Sequence, residues 1–143
     1  MALKGKPIAS ARSLAGLKQY KLGAQIGTTS YEYIVSVIKP SAQPGVYDTN
    51  DAAVQALKNG RIDGIVVDLP TAFYVTGVQV PTAKVVGRLK SVGTKERFGA
   101  VLPKGSSLTP CVNKALDRLW GNGTIKKLQQ TWLPSANSAP VLK

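Results

Sequence analysis

Two short stretches of this sequence have side chains of the type and spacing that could hold a small charged molecule. Gly27-Thr28-Thr29-Ser30 follows the stretch Lys21–Ile26 and precedes a segment with helical spacing. Free N–H groups at a helix start carry partial positive charge and bind carboxylate or phosphate readily. The same residues also have an ordinary role. Thr29 with Glu32 fits the S/T-x-x-E capping box, with Gly27 making the turn before it. Asp68 ends the run Ile65-Val66-Val67. It can cap the following helix or make a charge-assisted hydrogen bond to a ligand ammonium. An anion site beside a lone carboxylate suits a zwitterion, such as a free amino acid. Spacing alone leaves capping and binding open for both stretches.

The elements that must position these residues alternate along the chain. Lys21–Ile26 reads as a strand and Ser30–Ile38 as a helix stopped before Pro40. Val46 and Tyr47 suggest a brief strand. Asp48-Thr49-Asn50 then offers caps for a helix over Asp51–Lys58 that ends at Asn59-Gly60. Ile62–Val67 is a short β-branched run suited to a buried parallel strand, and Pro70 suits the first turn of a helix reaching about Val75. Strands are predicted near Val85–Leu89 and Arg97–Leu102. Helices are predicted over Leu108–Trp120 and Thr124–Leu133, with Ile125, Leu128 and Trp132 facing inward. The tail beyond Pro134 is small and polar and is predicted to be disordered. This alternation implies an α/β fold with a mainly parallel sheet. Ligands in such folds bind beyond the carboxyl ends of the strands, which brings residues 27–30 and Asp68 into one neighbourhood.

Composition excludes several classes of function. The chain has 143 residues, no histidine and one cysteine, Cys111. Zinc sites and His-dependent nucleophile systems are therefore not expected, and no metal or other cofactor is called for. Cys111 lies in a predicted helix, where it is expected as an inert core thiol. The net charge is +12, but the basic residues are scattered from Lys4 to Lys143 and not interleaved with aromatics. A base-stacking surface is thus not expected, and nucleic acid is not an expected partner. No apolar run approaches the ~20 residues needed to cross a bilayer. The opening Met1–Lys6 lacks the apolar stretch of a signal peptide.

Three segments together resemble a known family: "SARSLAGLKQYKLGAQIGTTS", "VYDTNDAAVQALKNGRIDGIVVDLPTAFYV" and "RFGAVLPKGSSLTPCVNKALDRLWGNGTIKKLQQTWL". Their order and spacing over about residues 3–133 resemble the polar-amino-acid solute-binding proteins of bacterial ABC importers. The resemblance implies the two-lobed type II periplasmic-binding fold and an extracytoplasmic location, in the periplasm or tethered at the cell surface. It implies that residues 3–95 form the second, ligand-binding lobe and 96–101 a hinge crossover. Residues 102–133 would be the C-terminal segment of an incomplete first lobe, followed by the tail 134–143.

By position in the family, Thr28 and Thr29 match helix-start residues that face the ligand, with the Thr29 amide on its α-carboxylate. Asp68 matches the partner of its α-ammonium, Gln25 lies near its side chain, and Tyr31 and Val67 fall at the rim. The family's first lobe supplies an arginine and covering aromatics, and these have no counterpart in the 143 residues. The resemblance thus implies weak or no affinity for this chain alone. It also implies a transporter permease as partner, and the C-terminal helices could support self-association. Alternative readings are a sensor or receptor module of the same fold, a dehydratase-like enzyme, and a basic nucleic-acid binder. The enzyme reading is disfavoured because Asp68 has no evident acid partner.

Overall fold

Three times in the first 74 residues a strand ends, a capping residue follows and a helix begins. A computed structural model describes residues 1–91, 99–132 and 139–143. Its strands are β1 (Ala2–Leu3), β2 (Leu22–Gln25), β3 (Gly45–Tyr47), β4 (Gly64–Ile65) and β5 (Ala83–Lys84). The helices are α1 (Thr29–Tyr33), α2 (Asn50–Lys58), α3 (Leu69–Tyr74), α4 (Thr109–Gly121) and α5 (Thr124–Trp132). Two 3-10 turns, Pro7–Ser10 and Ala15–Leu17, lie between β1 and β2.

The chain divides into two compact units, Met1–Lys90 with Ala136–Lys143, and Ser91–Ser135. In the first unit one sheet has the order β3-β2-β4-β1-β5. β2 is parallel to both β3 and β4, with Gly23 opposite Gly45 and Ile65, whereas β1 is antiparallel to β4 and β5. The α/β class is thus as predicted, but the sheet is mixed and not mainly parallel. The reason is β1, a two-residue strand too short to show an alternating pattern.

Each sheet face has its own core. Leu22 and Ala24 of β2 pack with Ile8, Leu17, Ile34 and Ile38. Ile65 of β4 packs with Ile62, with Ala53, Val54 and Leu57 on or beside α2, and with Val75 and Val80 after α3. Successive strand residues point to opposite faces, which keeps the two clusters apart.

Both α1 and α3 widen at their ends into single π-helical turns, Ile34–Ile38 and Val75–Gln79. The turns close with Lys39 N–H on the Ile34 carbonyl at 2.8 Å and Val80 N–H on the Val75 carbonyl at 2.7 Å. Each turn contains a hydroxyl bonded to the carbonyl four residues back, Ser36 on Glu32 and Thr76 on Ala72. This back-bonding competes with the helix ladder and favours local widening. The helix predicted over Ser30–Ile38 is therefore only partly α.

Other elements differ more. The run Ile62–Val67 pairs as a strand only at Gly64–Ile65. The strand predicted near Val85–Leu89 lies earlier, at Ala83–Lys84, and Arg88 instead forms a single parallel bridge with Val141. Of the strand predicted over Arg97–Leu102, residues 97–98 lie outside the described residues, and 99–102 are not in a strand. The tail predicted to be disordered is described from residue 139, and there Ala139 and Leu142 are buried.

In the second unit α4 packs on α5, and neither helix contains a buried residue. Leu128 and Trp132, predicted to face inward, are exposed, as are Leu108 and Trp120. Cys111 is likewise exposed and not a core thiol. Helical spacing shows which face is apolar and not what covers it. Among the described residues no helix is long and apolar enough to cross a membrane.

The amino terminus is built into the sheet. The Met1 amino group donates to the Ile65 carbonyl at 2.8 Å, and Ile65 N–H donates to the Met1 carbonyl at 2.9 Å. Burial disfavours the ammonium and lowers its pKa from 8.0 to about 6. The unfolded chain binds this proton more tightly than the folded one. Stability from this group is therefore complete above pH 8 and is lost as pH falls towards 6. The loss is at most about 2.7 kcal/mol for a shift of about two units. The chain has no histidine to titrate in this window. For the 143-residue chain with a free amine, the thermal midpoint is expected to climb between pH 6 and pH 8. A flat profile there counts against a buried amine.

Candidate ligand site at the strand ends

The opening glycine of the hydroxyl-rich stretch sets its geometry. Gly27 adopts φ +70°, a left-handed conformation that lets the chain turn directly after β2. Thr28 is then extended, with φ −102° and ψ 152°, and is the N-cap of α1. Its Oγ1 accepts from Tyr31 N–H at 3.2 Å and donates to the Gln25 carbonyl at 2.7 Å. The predicted Thr29–Glu32 capping box is not formed. With Thr28 as the cap, Tyr31 occupies the third helical position, and Glu32 lies one residue too far to be the box partner. This shift of one residue leaves the amides of Thr29 and Ser30 as first-turn groups without intrahelical acceptors.

Asp68 is the N-cap of α3 and is exposed. One carboxylate oxygen accepts from Thr71 N–H at 2.9 Å and the other from Thr71 Oγ1 at 2.7 Å. The capping role foreseen for it is therefore present, and the two bonds hold the carboxylate in a fixed orientation. A carboxylate oxygen can accept more than one bond, so this cap leaves acceptor capacity on the solvent side.

Parallel pairing brings the two stretches to one edge of the sheet. Gly23 lies opposite Ile65, and Val66 N–H donates to the Gly23 carbonyl at 3.0 Å. β2 and β4 therefore run side by side and release α1 and α3 from the same end. Gln25, the last residue of β2, is half-buried at that end.

A third helix start, not assigned to the site from sequence, lies on the other side of β2. β3 is parallel to β2, Ile26 N–H donates to the Tyr47 carbonyl at 2.9 Å, and Thr49 caps α2 through Ala52 N–H at 3.1 Å. The signal for it was the same strand, cap and helix pattern, repeated at Asp48-Thr49-Asn50. Tyr31 and Val67, expected at the rim, are half-buried, with Tyr31 packed against the first core cluster and Val67 against the second.

The edge thus combines the positive ends of three capped helices with one fixed carboxylate, Asp68. Such a surface can take a carboxylate on first-turn amides and an ammonium on Asp68. Among the described residues, no group of three or more acidic or Cys side chains is placed to hold a metal ion.

Known proteins share this architecture. No family model matches the chain. ABC transporter arginine-binding protein 1 of Escherichia coli (strain K12) is 31% identical over 130 residues, covering 86% of this chain and 51% of that protein. The L-cystine-binding protein TcyJ of the same strain is 30% identical over 117 residues, covering 81% and 42%. Among solved structures, an ancestral arginine-binding protein bound to glutamine superposes with a TM-score of 0.68 and 33% identity, covering 92% of this chain and 57% of that one. The chain spans about half the length of the curated relatives it matches. Over that half the chain is similar in sequence and in fold to amino-acid-binding proteins of ABC transporters, and its fold is that of the type II periplasmic-binding proteins.

Proposed function

We propose that this chain is the ligand-gripping part of an extracytoplasmic binding protein that recognises an amino acid or similar small zwitterion for uptake through an ABC transporter. The observation that carries this reading is the meeting of the α1 helix start with Asp68 at one sheet edge, in a chain related to amino-acid-binding proteins. In this reading Thr28 and Thr29 face the ligand, the Thr29 amide holds the α-carboxylate, Asp68 holds the α-ammonium and Gln25 lies beside the ligand side chain. Residues 3–95 act as the ligand-binding lobe, 96–101 as the crossover and 102–133 as the segment that returns to a partner lobe. In this reading the site binds and performs no chemistry: Asp68 is bonded to Thr71 and turned to the ligand ammonium. A permease that senses closure of two lobes around the ligand is the proposed partner, and closure is a ligand-driven shift between open and closed states. The exposed apolar residues of α4 and α5 suit packing against further protein, which includes a second copy.

One lobe leaves the ligand wet on its far side, so its charges are screened and little apolar area is removed from water. The isolated chain should accordingly bind in the millimolar range, on the order of 4 kcal/mol. Calorimetry at micromolar protein with arginine, cystine, glutamine and glutamate is expected to give no stoichiometric heat. Amide shifts in a millimolar NMR titration should concentrate at Thr28–Ser30 and Asp68–Thr71. Tight one-to-one binding would overturn the half-site reading. Shifts absent from these two stretches would overturn the site itself.

A further inference from the structure

The last five residues, which look like a polar tail in the sequence, are built into the first core. Ala139 and Leu142 are each 3% exposed, and Leu142 joins the cluster that contains Leu22, Ile34 and Val86. The backbone is fastened on both sides. Arg88 N–H donates to the Pro140 carbonyl at 2.7 Å, Leu142 N–H donates to the Arg88 carbonyl at 2.9 Å, and Leu14 N–H donates to a Lys143 main-chain oxygen at 2.9 Å. The Arg88 Nε adds a bond to the Ala139 carbonyl at 3.3 Å. Close approach at Gly87 makes room for the segment. A Cβ at Gly87 would lie 2.6 Å from Leu142 Cγ and 2.9 Å from the Pro140 carbonyl oxygen.

We infer that residues 139–142 are a strap that completes the first core, received by a groove that requires glycine at position 87. The chain leaves this core after Lys90 and rejoins it through the strap. The strap is therefore the second covalent anchor of everything between, residues 91–135 included. A strap of four residues with two buried side chains is weaker than the sheet beneath it. It opens by itself, below the free energy of global unfolding. Opening uncovers Val86 and the apolar slot of Leu142 while β2, β3 and β4 stay paired.

Hydrogen exchange on the intact chain tests this directly. The amides of Arg88 and Leu142 should be protected far above free-peptide rates, yet exchange together and faster than those of β2 and β4. Leu142→Ala should lower the thermal midpoint by roughly 5 °C or more, since it empties a buried slot. Gly87→Ala should also lower it. The two together should cost clearly less than their sum, because each acts by loosening the same strap. Free-peptide exchange at Arg88 and Leu142 would overturn the inference. An unchanged midpoint in Leu142→Ala, or strict additivity with Gly87→Ala, would do so as well.

Discussion

Ile34→Ala and Ile65→Ala are each expected to destabilise the chain by about 2–5 kcal/mol, and together by close to the sum. Ile34 is fully buried where α1 widens into its π turn, and Ile65 is 2% exposed in β4. Each substitution removes three carbons from a packed interior and leaves a cavity that rigid neighbours can only partly fill. Additivity follows from placement. Ile34 belongs to the cluster with Leu22 and Ala24, and Ile65 belongs to the cluster with Leu57, Val75 and Val80. The sheet lies between them, so neither cavity can relax into the other. A domain of this size has about 5–15 kcal/mol in total, so a combined loss of about 4–10 kcal/mol takes away much of its stability. Denaturant midpoints of the two single variants and the double measure this. A double variant no worse than the worse single one would mean that the two clusters are one core.

Features written in local chemistry were readable from the sequence. Thr49, Pro70 and Asn59-Gly60 mark helix ends by hydrogen bonding and backbone preference within a few residues, and α2 and α3 begin and end close to where these place them. The convergence of residues 27–30 with Asp68 was legible for the same reason, since it needs only a parallel pair with helices leaving one end.

Features that depend on distant partners were not readable. β1 has two residues, and its antiparallel pairing comes from its neighbours β4 and β5 and not from any pattern of its own. The cap of α1 falls on Thr28 because Gly27 turns left-handed, and both threonines satisfy the same sequence rule. Ala139-Pro140-Val141-Leu142 is too short to show periodicity, so its burial depends on the slot at Gly87. Cys111 is exposed because an apolar helical face is not by itself a covered one.

Asp68→Asn is expected to separate the two roles of this residue, and Asp68→Ala to remove both. Asparagine caps helices about as well as aspartate, and its side-chain oxygen can still accept from Thr71 N–H at the position where Oδ1 now does. Its stability should stay within about 0.5 kcal/mol of the parent, whereas alanine should cost about 1–2 kcal/mol through loss of the cap. Binding should respond to charge and not to the cap. A charge-assisted hydrogen bond contributes about 1.5–3 kcal/mol, so either variant should weaken a zwitterion by roughly 10- to 150-fold. For a half-site already in the millimolar range, such a loss takes binding out of reach of an NMR titration. Shifts at Asp68–Thr71 should then vanish in both variants, and those at Thr28–Ser30 should persist only with a simple carboxylate at high concentration. Parent-like binding by the asparagine variant, with loss in the alanine variant alone, would reduce Asp68 to a helix cap. The ammonium would then have to be held by a group other than this carboxylate.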